Sequence, residues 1–197
     1  LKTVDRKPGG TCQRGGQTLI SFSDNDYLGL SQDIRVIEAS REAAKTYGAS
    51  AGASRLITGN CPLNDELEAR LAQMKGCETA LVFGSGYLAN ISLIPTLMRQ
   101  GDVIIMDELS HNCMFAGARM SGSTIELFRH NDLEHVEVLL RRHQGKQTLV
   151  MTETVFSMDG DLAPLAELFD LCESFGAWLM SDDAHGLGIL NLSLIHI

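Results

Sequence analysis

The chain has 197 residues, a formal net charge of −9 at pH 7 and 44% hydrophobic residues. That charge excludes a general nucleic-acid surface, which would be basic, and no apolar run reaches the length needed to span a bilayer. The hydrophobic share is ample for a packed core. The five cysteines (Cys12, Cys61, Cys77, Cys113 and Cys172) are odd in number and lack metal-ligand spacing, so they read as reduced thiols of a cytoplasmic protein that holds no metal.

Residues 1–32 form a lead-in segment, polar and glycine-bearing at first, with one strand predicted at Thr18–Phe22. From Asp33 the pattern turns helical, with Ile34, Ile37 and Ala44 spaced for one face, as far as Tyr47-Gly48, where glycine can supply a left-handed C-cap. The small-residue loop Gly48–Arg55 holds no core and belongs on a surface or an interface. Asn64 or Asp65 caps a second helix that runs to Lys75, with Leu67, Leu71 and Met74 on one face. Beyond it strand and helix alternate. Strands are predicted at Thr79–Phe83, Val103–Met106, Thr124–Phe128, Gln147–Thr152 and Ala177–Met180. Helices are predicted at Tyr87–Arg99, Cys113–Met120, Leu133–His143 and Pro164–Phe175, with Pro164 in a first turn. This alternation predicts an α/β fold of three layers, a mostly parallel sheet with helices on both faces.

The polar residues gather at the predicted strand ends. Trp178-Leu179-Met180-Ser181 leads into Asp182-Asp183-Ala184-His185-Gly186, so a carboxylate and an imidazole stand three residues apart at the rim of the sheet. Open α/β sheets bind ligands there. Asp182 and His185 could serve the ring nitrogen and ring hydroxyl of an aromatic cofactor, bind a metal, or simply cap a turn. Gly84-Ser85-Gly86-Tyr87-Leu88-Ala89 lies where a strand gives way to a helix, and free amides at a helix start suit a phosphate. The same run fits a dinucleotide fingerprint, with Asp107 about 20 residues on, so a Rossmann domain binding NAD is a rival. His111 follows a strand end and could stack on a cofactor, act as acid or base, or cap a helix. Ser157 again follows a strand and could donate to a ligand. Asp159-Gly160-Asp161 reads as a tight turn, and His130, His135 and His143 as solvated histidines.

Taken in order, these segments resemble one family, the α-oxoamine synthases, which are fold-type I enzymes that use pyridoxal 5'-phosphate (PLP). The likeness runs from Phe22 to Leu190. It is carried by Ser23-Asp24-Asn25-Asp26-Tyr27-Leu28-Gly29-Leu30, Gly52-Ala53-Ser54-Arg55-Leu56-Ile57-Thr58-Gly59, Ser85-Gly86-Tyr87, Asp107-Glu108-Leu109-Ser110-His111, Val155–Asp161 and Asp182–Gly186. The Ser54–Gly59 loop and the Phe156–Asp161 run favour the branch of the family that serves biotin biosynthesis.

The resemblance implies that 33–190 is the PLP-binding large domain of a fold-type I transferase, incomplete, and that 191–197 is an artefactual tail outside the family pattern; truncation is expected at both ends. It also implies that Asp182 pairs with the pyridine nitrogen, His185 with the ring hydroxyl, and that His111 stacks over the ring and meets substrate. Ser85, Gly86 and Tyr87 would bind the cofactor at its phosphate, Ser157 would contact it, and Asn25 would help hold the amino-acid carboxylate. The implied partners are an amino acid, an acyl thioester and a second copy of the chain, in a homodimer with shared sites. The implied reaction condenses L-alanine with pimeloyl-CoA or a pimeloyl carrier protein, with decarboxylation, to an α-amino ketone. A glycine-using relative (2-amino-3-ketobutyrate ligase or 5-aminolevulinate synthase) is the alternative. None of Lys2, Lys7, Lys45, Lys75 and Lys146 matches the family's Schiff-base lysine, so a catalytically dead cofactor-binding or dimerising piece is the reading from another class.

Overall fold

The computed structural model describes residues 3–7 and 9–190, which places the expected tail at 191–197 outside the described residues. The chain divides into two compact units, one within Leu1–Leu71 and one within Ala72–Ile197.

The first unit opens with three strands, β1 (Asp5–Lys7), β2 (Thr11–Arg14) and β3 (Gln17–Ile20), paired as an antiparallel meander. The predicted loose lead-in with one strand is therefore corrected. Arg14 pairs with Gln17 across Gly15-Gly16, both at positive φ (58° and 78°), the mirror-image two-residue turn whose twist matches antiparallel strands. Helix α1 (Ile34–Tyr47) starts where predicted, its first turn capped by the Asp33 carboxylate on the Arg35 amide at 2.8 Å. Its predicted core face is not a core: α1 has no buried residue, and Ile34 stands exposed. Helix α2 (Pro62–Lys75), whose last turn from Ala72 belongs to the second unit, begins before the predicted Asn64 or Asp65 cap, because Pro62 has no amide to leave unsatisfied in a first turn. Between them Arg55 lies across Glu68 of α2, with guanidinium–carboxylate contacts of 2.6 and 3.0 Å.

In the second unit the predicted alternation is present. Helix α3 (Gly86–Leu97), β4 (Val103–Asp107), α4 (Asn112–Ser121), β5 (Thr124–Phe128), α5 (Leu133–Arg142), β6 (Thr148–Glu153), α6 (Leu165–Phe175) and β7 (Trp178–Asp182) follow in order. The four strands form a parallel sheet in the order β5-β4-β6-β7. Every residue of β4 and β6 is buried, which is why both read as unbroken apolar runs. Strand periodicity divides them: Ile104, Met106, Leu149 and Met151 pack against α3 and α4, while Val103, Ile105 and Val150 pack against α5 and α6. Two cores on opposite faces of one sheet make the three layers. Thr79–Phe83, predicted as a strand, forms no ladder among the described residues and is corrected to irregular chain. An apolar run becomes a strand only where a neighbour offers a ladder, and hydropathy alone does not report the neighbour. Pro164 sits one position outside α6, as its N-cap.

Helices α3 and α4 approach closely at Gly117. A Cβ there would stand 2.7 Å from the Asn90 carbonyl oxygen and 2.8 Å from Ile94 Cδ1. Helix propensity alone would favour alanine by about 1 kcal/mol, but overpacking against a backbone carbonyl that cannot turn aside costs roughly 1–3 kcal/mol. The clash wins. Gly117→Ala is expected to lower stability by roughly 1 kcal/mol net, read as an earlier urea midpoint at unchanged slope by circular dichroism.

Candidate functional site

Strand order fixes where a ligand can enter. The chain leaves β4 for β5 on one side and returns for β6 and β7 on the other, so the connections diverge between β4 and β6 and open a crevice beyond their carboxyl ends. A cleft of about 120 Å³ lies there, lined by Gly86 and Tyr87 of α3, His111 and Cys113 at the start of α4, Glu153 at the end of β6, and Asp182, Ala184 and His185 after β7. That volume accepts a flat ring rather than a whole drug-sized ligand.

Asp182 is held from two sides by neutral donors. Asn90 Nδ2 donates to one oxygen at 2.8 Å and the Ala184 amide to the other at 3.0 Å. The carboxylate is thus oriented while its charge is left for a ligand. Asn90 Nδ2 also lies 3.1 Å from the Cys113 sulfur, and burial, with Asp182's charge beside it, pushes that thiol upward despite the Asn90 contact. His111 takes one of its expected roles, the helix cap. It caps α4, its Nδ1 accepting the Cys113 amide at 3.2 Å, and it also lines the cleft. An accepting Nδ1 leaves a neutral ring its proton on Nε2.

Ser85 caps α3 by accepting the Leu88 amide at 3.1 Å. Its hydroxyl is engaged with the helix, whereas Gly86 and Tyr87 contribute to the cleft wall at the helix's positive end. Ser157 is exposed in the loop after β6 and outside the cleft lining. Asn25 belongs to the first unit, where its side-chain carbonyl accepts from the Tyr27 hydroxyl at 3.3 Å.

Four contributors were missed in the sequence: Glu153, Asn90, Cys113 and the Lys75–Asp183 pair. Glu153 carries the signal that drew attention to Asp182, an acid closing an apolar strand, and the two stand in register across β6 and β7. Burial pushes its carboxyl above the usual range, with Asp182's charge acting the same way and the His111 and Ser157 amides opposing. Lys75 Nζ donates to Asp183 at 2.7 Å from 108 residues away in the chain. Only the fold brings these together.

Asp107 settles the dinucleotide rival. Its side chain has no exposure, and its oxygens accept from the Leu109 amide, the Asn131 amide and His130. It is closed to a ribose. His130, expected to be solvated, instead bridges two acids, Nδ1 to Asp107 at 3.0 Å and Nε2 to Asp161 at 2.7 Å. His143 is likewise corrected, 2.9 Å from Glu126 and largely covered. Asp159–Asp161 forms the expected tight turn, closed by Phe156 accepting from Gly160 and donating to Asp161.

The sequence pattern of the aminotransferase class I and II family matches residues 17–195. The chain belongs to that family. Its curated relatives include proteins named 8-amino-7-oxononanoate synthase from Methylobacterium nodulans, 54% identical over 96% of this chain and 51% of the relative, and from Methylorubrum populi, 54% identical over 96% and 50%. The chain spans about half the length of the curated relatives it matches. Among solved structures of the family fold, a serine palmitoyltransferase from S. paucimobilis with bound PLP–myriocin superposes with a TM-score of 0.88 at 31% identity, covering 92% of this chain and 46% of that one. The architecture is that of the fold-type I PLP-dependent transferases, and the resemblance to α-oxoamine synthases read from the motifs is borne out.

The His130 bridge gives the family fold here a measurable pH dependence. Burial pulls the imidazole down, but Asp107 and Asp161 more than offset it, so its folded value lies above the usual histidine range. A raised folded value means stabilisation that is complete below about pH 6.5 and lost as pH rises through the folded value. Stability should therefore fall on the alkaline side of neutrality, and His130→Gln should flatten that fall in urea titrations. An equal slope in the variant would assign the pH dependence to another group.

Proposed function

We propose that the cleft holds PLP and that this chain supplies the cofactor-holding part of an α-oxoamine synthase, one that condenses L-alanine with a pimeloyl thioester, loses carbon dioxide and releases the carrier thiol. The observation that carries the reading is Asp182, an acid fixed by two neutral donors at the rim of a cleft that also presents two imidazoles and a helix start. That donor set fits the group: an anion for a protonated ring nitrogen, amides for a phosphate, and a flat imidazole for a ring face. The names and identities of the curated relatives support the biotin-pathway branch over the glycine-using one.

When bound, PLP supplies an electron sink for the pair left at the substrate's α-carbon. The chain's part is to bind and orient. Asp182 would keep the proton on the ring nitrogen, His185 would meet the ring hydroxyl, and Gly86 and Tyr87 would offer their amides to the phosphate. His111 would cover one ring face and keep water from it, and Ser157 would contact the cofactor from the loop after β6. We read the strongly exposed Phe22, Leu56 and Ile57 of the first unit as surface that a second copy covers. Five free thiols fit a reducing, cytoplasmic setting. Among the described residues no helix is long and apolar enough to cross a membrane.

None of the described lysines lines the cleft, and Lys75 is paired with Asp183. The chain should therefore bind PLP without covalent attachment: borohydride is expected to leave no stoichiometric pyridoxyl group on Lys75 by mass spectrometry. Asp182→Ala removes a charge-assisted contact and should weaken PLP binding by about tenfold to a hundredfold in equilibrium dialysis. Unchanged affinity in that variant would remove the cleft as the cofactor site. In the protein extended to its relatives' length, product formation from L-alanine should exceed that from glycine; the reverse would select the glycine-using branch.

A further inference from the structure

The close approach of α3 and α4 at Gly117 brings the Asn90 backbone against α4. Cys113 lies one turn before Gly117 on the same helix face, so its sulfur is set against the Asn90 side chain. Both residues are buried. Asn90 Nδ2 lies 2.8 Å from an Asp182 oxygen and 3.1 Å from the Cys113 sulfur, and that sulfur lies 2.8 Å from His111 Nδ1. Elementary chemistry gives each contact its direction. An ionised carboxylate only accepts, so the Asn90 NH2 group faces Asp182, and its second hydrogen remains for the sulfur. His111 Nδ1 already accepts the Cys113 amide at 3.2 Å, so it presents a lone pair, and the thiol hydrogen is the donor. Burial and the Asp182 charge favour the protonated thiol that this direction needs.

We propose that Asn90 and Cys113 are positioning residues that join Asp182 and His111 into one hydrogen-bonded chain, which holds the acid and the imidazole of the cleft in a fixed relation. The inference rests on the reading of the cleft as a PLP site. Nothing in the sheet could do this work, because β6 lies between β4 and β7 and no ladder relates His111 to Asp182. Asn90 donates one hydrogen to the acid and one to the sulfur, and the thiol donates its own to the imidazole. Binding groups locked in this way by hydrogen bonds behind them hold their geometry before a ligand arrives.

The test uses the 197-residue chain with isotope-labelled histidine for nitrogen NMR, and equilibrium dialysis with PLP. Serine and alanine fill nearly the same space, so a packing role for Cys113 treats them alike and a donor role separates them. Cys113→Ala should move the His111 Nδ1 resonance downfield, as a nitrogen that loses a donor does. It should also weaken PLP binding about fivefold, the scale of one lost hydrogen bond. Cys113→Ser should return the resonance toward the parent's and keep the affinity within about twofold. Equal behaviour of the two variants would overturn the thiol's role. Asn90→Ala should weaken PLP binding about tenfold. Adding Cys113→Ala to it should then cost less than Cys113→Ala costs alone, because members of one network are not additive. Full additivity would overturn the chain. If the parent itself binds no PLP, the cofactor reading fails separately, and the Nδ1 resonance decides the thiol link. Should Asn90→Ala not fold, the comparison of serine with alanine at residue 113 decides.

Discussion

Burial of β4 and β6 on both faces is the constraint on which the rest of the second unit depends. A strand covered above and below by helices has no solvent-facing side chains, so polar chemistry can leave it only at its ends. The alternation of Ile104 and Met106 against Val103 and Ile105 assigns each side chain to one of two cores. It also pins the register, because a slip by one residue would exchange the faces. With register fixed, the residues that close the strands are fixed too, and the site is assembled from those residues and the loops that follow them.

Three of the sheet's four strands close on acids: Asp107 on β4, Glu153 on β6 and Asp182 on β7, which are adjacent in the sheet. Neighbouring strands lie about 4.8 Å apart, so like charges are brought close at a partly buried edge, and each needs its own counterbalance. The solutions differ. Asp107 is fully enclosed and takes an imidazole and two amides. Glu153 lies buried in the cleft wall, and that burial pushes it above the usual carboxyl range. Asp182 takes one side-chain amide and one backbone amide, and it is the least covered of the three. The acid with neutral donors and an open side is the one able to meet a cationic ligand.

Much of this edge was legible in the sequence, because a strand that ends on an acid reads the same before and after folding. Asp182, His185, His111 and the Gly86 turn are local signals at strand or helix ends, and the cleft lining contains all four. What stayed hidden depends on partners distant in the chain. His130 looks like any loop histidine until Asp107 and Asp161 close on it from 23 and 31 residues away. Thr79–Phe83 is apolar enough for a strand, but a ladder is a property of two segments. The Gly15-Gly16 hairpin was a local signal left unread: two glycines between short polar strands lack the apolar alternation on which strand reading relies.

The turn after β7 shows how a remote pair acts on the site without touching it. Asn90 holds Asp182, and Lys75 reaches one oxygen of its neighbour Asp183 from the end of α2. The other oxygen is buried without a partner and lies 2.1 Å from where a Cβ on residue 186 would stand, so a larger residue there would displace the Asp183 side chain. The Asp183 carbonyl then accepts the Gly186 amide at 3.1 Å, which folds the chain back between Asp182 and His185. Consecutive acids at a strand end therefore divide the labour. The first presents its charge to the cleft, and the second, neutralised by Lys75, shapes the turn that carries the imidazole.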